Sequence, residues 1–185
     1  MKSWLVFCCL LSLSAVSLGA ERLDEIKARG ELRVCIWPEY YGISFRNVKS
    51  GAVAGVDADM ARDLASHLGV PLNFVDSHFA RLKDDLLRNQ CDVGMFAVAI
   101  TPARQAVMAF TQPHMFSDVY AVTSRTNSAI QSWQDIDRPG RVVAVAAGTY
   151  HEPLMRERLQ YAKLLVVSPP ATREGEVESG RADVF

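Results

Sequence analysis

The chain alternates short, apolar, β-rich runs with helical segments, and this order limits its fold more than any other feature. The apolar runs are residues 32–36, 72–75 and 93–100, and helical segments at residues 58–68 and 81–89 separate them. Strands that alternate with helices of this length form a mainly parallel sheet with helices on its faces. We therefore predict an α/β fold that begins as βαβαβ, with ligands bound beyond the carboxyl ends of the strands.

The first predicted helix has clear boundaries. Asp57 is predicted to be its N-cap, and Gly69 followed by Pro71 marks its end. Apolar side chains recur along it at helical spacing and form one face: Met60, Ala61, Leu64, Ala65 and Leu68. We expect this face to pack against the sheet.

The same pattern starts again in the second half of the chain. Residues 119–123 are predicted to form an isolated strand, and residues 124–132 a polar connector. After them come predicted strands at residues 141–147 and 164–167, with a helix at residues 152–161 between them. This order predicts two lobes with a ligand cleft between them. We place the first lobe at residues 21–116, the hinge strand and connector at 117–127, and the second lobe at 128–185.

The first twenty residues have the pattern of a secretory signal peptide. Lys2 supplies a positive start, residues 4–11 are an unbroken apolar run, and residues 12–20 are small and slightly polar. The alternative is an uncleaved anchor helix, but the stretch from 4 to 20 has 17 residues and three serines, which is short for a bilayer of about 30 Å. We therefore predict cleavage and a periplasmic or secreted location.

Composition excludes several classes of protein. With 185 residues, of which 49% are hydrophobic, the chain can form a proper core and is not disordered. Its formal net charge of −1 provides no strong positive field, so we expect no nucleic-acid partner. The histidines show no paired-ligand spacing, and we expect no metal, no cofactor and no catalytic residue.

Cys35 and Cys91 are the two cysteines that lie outside the predicted signal peptide. Each lies in or directly before an apolar run. Two arrangements are open: a disulfide between neighbouring strands in an oxidising compartment, or two buried thiols that act as small hydrophobic residues. We favour the buried thiols.

The residues with the most chemical content follow the third apolar run. In the sequence ITPAR at 100–104, Thr101 is predicted to be an N-cap, Pro102 the first helical residue, and Arg104 a member of the first turn. Free N–H groups at a helix start attract anions, and a guanidinium can bind a carboxylate through two parallel hydrogen bonds. Alternatively, Arg104 is an exposed side chain or part of a structural ion pair.

Several segments, taken in order, resemble the family-3 extracellular solute-binding proteins, the exported receptors of polar amino-acid ABC transporters. The most specific is ITPAR at 100–104 with FTQP at 110–113. The others are LDEI at 23–26, RGELRV at 29–34, GVDADMA at 55–61, DVGM at 92–95, the stretch 142–149 and GRADVF at 180–185. The resemblance implies a two-lobe fold of the type II periplasmic-binding-protein class.

The resemblance also implies a set of ligand-binding residues. Arg104 would bind the ligand carboxylate, Tyr40 and Phe79 would form aromatic walls, and Gly148 with Thr149 would offer hydrogen bonds from the second lobe. Each has a simpler interpretation: Tyr40 as part of a loop, Phe79 as core, and Thr149 as the cap of the next helix.

Two features depart from the family pattern. Where the family usually has small hydroxyl or glycine positions before the arginine, this chain has FAVA at 96–99, so Ala97 and Ala99 are placed at the ligand without side-chain hydrogen bonds. An unpaired buried polar ligand atom costs about 1–3 kcal/mol, which favours a less polar carboxylate. The chain also ends at Phe185, before the family's acidic residue and its returning segment, and we expect a truncated member.

The function that follows is an exported receptor, most simply a monomer, that captures a small carboxylate or amino acid for the membrane subunits of an ABC transporter. Two alternatives use the same fold. One is the outer sensing module of a membrane signalling protein, and the other is a dehydratase-like enzyme. No motif for catalysis supports the enzyme, so we predict binding without turnover.

Overall fold

A computed structural model describes residues 18–185, with side chains from residue 21 onward. The predicted signal peptide lies outside the described residues, apart from the backbone of residues 18–20, which begins the first helix. The elements in chain order are α1 (Leu18–Arg29), β1 (Leu32–Ile36), β2 (Phe45–Arg46), β3 (Val53–Ala54), α2 (Val56–Leu68), β4 (Leu72–Asp76), α3 (Leu82–Leu87), β5 (Val93–Gly94), α4 (Pro102–Gln105), β6 (Val142–Ala146), α5 (His151–Arg158), β7 (Lys163–Val167) and α6 (Arg173–Glu178). None of these helices is long and apolar enough to cross a lipid bilayer.

The first lobe is built on a parallel sheet with the order β4-β1-β5. The central strand, β1, is as predicted, and it is apolar because helices and loops cover both of its faces. Val34 and Ile36 face the alanines of α2, whereas Cys35 packs on the other side with Leu82 and Phe96. The carboxyl ends of all three strands therefore meet at one edge, where a ligand site is expected.

Helix α2 differs from the prediction at its start. Its N-cap is Gly55 and not Asp57, which lies buried in the first turn. Gly55 has φ 127°, and a Cβ there would lie 2.4 Å from the backbone of Ile43, so only glycine fits. The buried stripe consists of small residues, Ala58, Ala61 and Ala65, while Leu64 is 37% exposed. Alanines allow the helix axis to approach the sheet closely.

The predicted strand at residues 93–100 is wrong beyond its first two residues, since β5 contains only Val93 and Gly94. The Met95 N–H still donates to Cys35, but Ala97 has a left-handed backbone with φ 54°, which does not fit a regular strand. The Ala97 N–H donates to the carboxylate of Asp57 and not to a neighbouring strand. The apolar residues that follow form a loop in front of Arg104.

The second lobe is built on the parallel pair β6 and β7, whose register runs from Val142 opposite Lys163 to Ala146 opposite Val167. Val184 adds a bridge to β6 on its other side. The predicted strand at residues 119–123 is reduced to one bridge, between Thr123 and Val184. Next to this bridge, Val122 exchanges two backbone hydrogen bonds with Phe185, at 2.8 and 2.9 Å, so the pairing of this segment is confined to its last two residues.

The predicted helix at residues 152–161 is α5, which ends three residues earlier, at Arg158, before an extended Leu159. Helix α6 was not predicted. It is six residues long, and its sequence REGEVE has no apolar repeat that could have indicated it.

Cys35 and Cys91 form a disulfide, so the preference for two free thiols was wrong. The bond joins β1 to the turn before β5 and spans 56 residues of sequence. Both cysteines are fully buried.

We expect the Cys35→Ala/Cys91→Ala double variant to lose about 4 kcal/mol of stability, because the cross-link restricts the unfolded chain over a long loop. Urea unfolding of the oxidised protein and of the variant measures this loss. A change below about 1 kcal/mol would contradict it. Reduction of the wild-type protein should lower its stability, while the same reductant should leave the variant unchanged.

Asp92 connects the first helix to the sheet. Its buried carboxylate accepts hydrogen bonds from Arg33, at 2.9 Å from the backbone N and at 3.0 Å from Nη2, and it also pairs with Arg29. Burial raises the pKa of Asp92, but the hydrogen bonds and positive charges of the two arginines outweigh it and hold the pKa below its ordinary value.

A carboxyl whose pKa is lower in the folded state stabilises the fold at every pH above its ordinary pKa of 3.8. This stabilisation is lost as the pH falls from 3.8 through the lower pKa of the folded state. We therefore expect Asp92→Asn to lower the free energy of unfolding at pH 7 by about 1–3 kcal/mol. At pH 3 the difference from wild type should be smaller. Urea unfolding at both pH values checks this, and an equal difference at both would contradict the ionic role.

Candidate functional site

Arg104 lies in α4, directly beyond the carboxyl end of the first sheet. As predicted, Thr101 is the N-cap, with its Oγ1 3.3 Å from the Arg104 backbone N, and Pro102 is the first helical residue. The fixed φ of proline and the cap hydroxyl start this short helix without other support. The local sequence therefore determines where the Arg104 side chain begins.

The guanidinium of Arg104 extends to both lobes. Its Nη1 donates to the carbonyl oxygen of Ala99 at 2.7 Å, and its Nη2 donates to that of Gly148 in the second lobe at 2.9 Å. The cation also lies over the ring of Phe79, 5.6 Å from its centroid. Within residues 21–185 no carboxylate comes within 4.0 Å of it. Burial lowers the pKa of Arg104, because it disfavours the charged form of the guanidinium.

Phe79, which lies under this arginine, belongs to a cluster of four aromatic rings. Phe79 is central, with its centroid 5.4 Å from that of Trp37, 6.3 Å from Tyr40 and 4.9 Å from Phe96. The rings meet edge to face, the arrangement that aromatic quadrupoles favour. Phe96 is fully buried, whereas the other three are partly exposed. The wall of the site is therefore mostly apolar, with a cation at its edge.

Gly148 brings the backbone of the second lobe close to that of the first. It has φ 72°, and a Cβ on it would lie 2.5 Å from the backbone of Ala80. Its own N–H donates to the carboxylate of Glu152 at 2.8 Å. This hydrogen bond, with the one from Arg156, holds the pKa of Glu152 below its ordinary value. Glycine is thus required here for both its conformation and its lack of a side chain.

A small cavity lies between the lobes beside the aromatic cluster. It has a volume of about 20 Å³, room for about one water molecule. Trp37 and His78 line it from the first lobe, and Ala147, Thr172 and Arg173 are among its lining residues from the second.

The imidazole of His78 brings a polar group to this cavity. Its Nδ1 is buried without a hydrogen-bond partner among the described residues. Burial, assisted by the charge of Arg81, lowers the pKa of His78.

The structure places the sequence-derived site residues as follows. Arg104, Phe79, Tyr40, Ala99 and Gly148 form one network of contacts at the junction of the lobes. The remaining two have other contacts.

The backbone N–H of Ala97 donates a hydrogen bond to the carboxylate of Asp57. Thr149 is buried, and its hydroxyl donates to the carbonyl of Ala146 in its own turn at 2.7 Å.

The sequence analysis did not identify Trp37 and His78 as site residues. Trp37 directly follows the carboxyl end of β1, and His78 comes two residues after the end of β4. That position is itself the signal for a ligand site in a parallel sheet, and it could have identified both residues.

Comparison with known families gives one match over most of the chain. The family model for bacterial extracellular solute-binding proteins, family 3, matches residues 32–176.

Among curated proteins, the cyclohexadienyl dehydratase of Pseudomonas aeruginosa is 32% identical over 180 residues, covering 96% of this chain and 67% of that protein. The putative amino-acid ABC transporter-binding protein PatH of Vibrio harveyi is 25% identical over 185 residues, covering 100% and 70%. The chain therefore spans about two thirds of the length of both.

Among solved structures, the ancestral amino acid-binding protein AncCDT-1, described as a precursor of cyclohexadienyl dehydratase, is 35% identical with a TM-score of 0.81. The match covers 88% of this chain and 71% of that one. The fold is thus the two-lobe type II fold of periplasmic amino-acid-binding proteins.

Proposed function

Because this chain belongs to the bacterial extracellular solute-binding proteins of family 3, we propose that it captures a small carboxylate, most simply an amino acid, between its two lobes for an ABC transporter. The observation that carries the proposal is the Arg104 guanidinium. It lies at the junction of the lobes, is partly buried, and has no carboxylate beside it within residues 21–185. A ligand carboxylate would supply the missing negative charge.

The hydrogen bonds of Arg104 leave room for this ligand. A guanidinium has five N–H donors. Nη1 and Nη2 each donate one hydrogen bond to a carbonyl oxygen, which leaves three N–H groups for a ligand. The remaining donors can bind both oxygens of a carboxylate in one plane, and a charged acceptor forms a stronger bond than a neutral carbonyl. Ligand binding would therefore satisfy Arg104 better than the unliganded contacts do.

The aromatic cluster supports a ligand with a sizeable body. The faces and edges of Trp37, Tyr40 and Phe79 can pack against an aliphatic or aromatic side chain, and their faces also attract a cation. The segment 96–99 provides no side-chain hydroxyl to a ligand amine. Affinity should therefore depend on the carboxylate and the apolar body more than on the amino group.

Thermal melting with a panel of ligands tests this function. A ligand at about 100 times its Kd adds about 2.7 kcal/mol of stability, which is easily measured as a rise in Tm. The panel should contain arginine, histidine, phenylalanine and their decarboxylated amines. We expect at least one carboxylate to raise the Tm and its amine to have no effect. A panel in which the amines act as well as the acids would contradict the proposal.

A second candidate is an enzyme on the same fold, and the 32% identity with a cyclohexadienyl dehydratase favours it. A dehydratase needs an acid within hydrogen-bond reach of the departing hydroxyl. Incubation of the purified protein with a cyclohexadienyl carboxylate, followed by mass spectrometry, decides between the two. Loss of water that depends on the protein would establish the enzyme.

A further inference from the structure

Asp57 is a buried carboxylate that the proposed binding function does not yet use. It is 1% exposed and lies in the first turn of α2, and no lysine or arginine side chain pairs with it within residues 21–185. Its Oδ2 accepts a hydrogen bond from the backbone N of Ala97 at 2.6 Å. Its Oδ1 lies 3.3 Å from Nε2 of His114. One side chain thus contacts two separate parts of the chain.

These two contacts lie on either side of Arg104 in the sequence. Ala97 begins the loop in which the Ala99 carbonyl accepts a hydrogen bond from the Arg104 guanidinium, and His114 follows α4. Ala97 also has φ 54°, a conformation that is unfavourable for a residue with a Cβ. A charge-assisted hydrogen bond, donated by the Ala97 N–H to a buried carboxylate, is a strong way to hold Ala97 in this conformation.

We propose that Asp57 is a positioning residue that holds the segment between Ala97 and His114, and so directs Arg104 toward the ligand carboxylate. This inference rests on the proposed binding function. Burial of an ionised carboxylate is costly. If the only role of position 57 were to fill space in the core, an apolar residue would do so at a lower cost in free energy. The contacts of Asp57 instead go to Ala97 and His114, which lie on either side of Arg104 in the sequence. The negative charge also suits its place at the amino end of a helix.

The test compares Asp57→Ala, which removes both contacts, with Asp57→Asn, which keeps an acceptor of the same shape. Asp59→Asn is the matched control, because Asp59 lies in the same helical turn but pairs with the exposed Arg62. In the free protein, the NMR signals of the Ala97 amide and of the Arg104 Nε–H report the loop and the guanidinium directly. We expect both signals to shift most in Asp57→Ala, less in Asp57→Asn, and not at all in Asp59→Asn.

Affinity for L-arginine and L-phenylalanine, measured by calorimetry well below the Tm, gives the functional readout. We expect Asp57→Ala to weaken binding about tenfold or more, since the Ala97 N–H is left without a partner. Asp57→Asn should stay within about threefold of wild type. Ala97→Gly accepts a positive φ without strain, so combining it with Asp57→Ala should recover at least half of the lost affinity on a logarithmic scale.

Several results would overturn the role of Asp57. One is an Arg104 Nε–H signal that does not move in Asp57→Ala while the Tm falls, because Asp57 would then act on stability alone. Additive effects of the Asp57 and Ala97 substitutions would also contradict it. If Asp57→Ala does not fold, unchanged signals in Asp57→Asn decide against the proposal. If wild type binds neither amino acid, the binding function fails for these ligands, and the NMR signals still test the link between Asp57 and Arg104.

Discussion

Arg104→Ala is expected to weaken ligand binding by about 2–5 kcal/mol, the range for removing one member of a desolvated charge pair. The substitution removes the cation at the junction of the lobes that donates to the carbonyl oxygens of both Ala99 and Gly148. The expected effect is large because a ligand carboxylate would remain in a mostly apolar site without a partner. Isothermal titration of wild type and variant with the same ligand measures it.

Two further variants separate binding from stability. Arg104→Met keeps the length of the side chain without its charge. Its unliganded stability should change by about 1 kcal/mol or less, because relief from burying a charge offsets the two lost hydrogen bonds. Arg88→Ala, at an exposed arginine of the first lobe, is the control and should bind as wild type does. Unchanged affinity in Arg104→Ala would remove Arg104 from the site.

Gly148→Ala is expected to prevent the lobes from reaching the arrangement described here. The new Cβ would lie 2.5 Å from Cα and N of Ala80, which belong to the backbone and cannot turn away. The overpacked contact costs about 1–3 kcal/mol of closure, or a loss of affinity of about 5- to 150-fold, and the left-handed conformation costs a further 1–2 kcal/mol of stability. Calorimetry measures the affinity, and small-angle X-ray scattering measures closure at saturating ligand.

Gly180→Ala is the matched control for this prediction. Gly180 has φ 73°, nearly the same as Gly148, but no atom lies within 4 Å of the position of its Cβ. It should lose about 1 kcal/mol of stability from the backbone conformation alone, with unchanged affinity. If the two variants bind equally well, the contact between the lobes has no part in binding.

The sequence predicts best those strands whose own residues form an apolar run. β6 is a continuous apolar run and β1 is one interrupted only by Arg33, and such runs form buried parallel strands wherever a sheet accepts them. The run at 93–100 is equally apolar, yet it leaves the sheet after Gly94, and the N–H of Ala97 donates to a carboxylate 40 residues earlier. Periodicity carries no information about such a distant partner.

The site shows the same division between local and distant causes. Thr101 and Pro102 start α4 by themselves, so the position of Arg104 could be predicted from a few residues. The Cys35–Cys91 disulfide and the approach of Gly148 to Ala80 depend on how distant segments meet. The family resemblance, and not the residue pattern, indicated Gly148. The true contacts of Asp57 could be found only from the structure.

A crystal structure of the protein with the amino acid or carboxylate that most raises its Tm is the most direct measurement. We predict that the ligand lies between the lobes against Phe79, with both carboxylate oxygens about 2.7–2.9 Å from the Arg104 guanidinium. A ligand bound elsewhere, or bound between the lobes with its carboxylate away from Arg104, would contradict capture by this arginine.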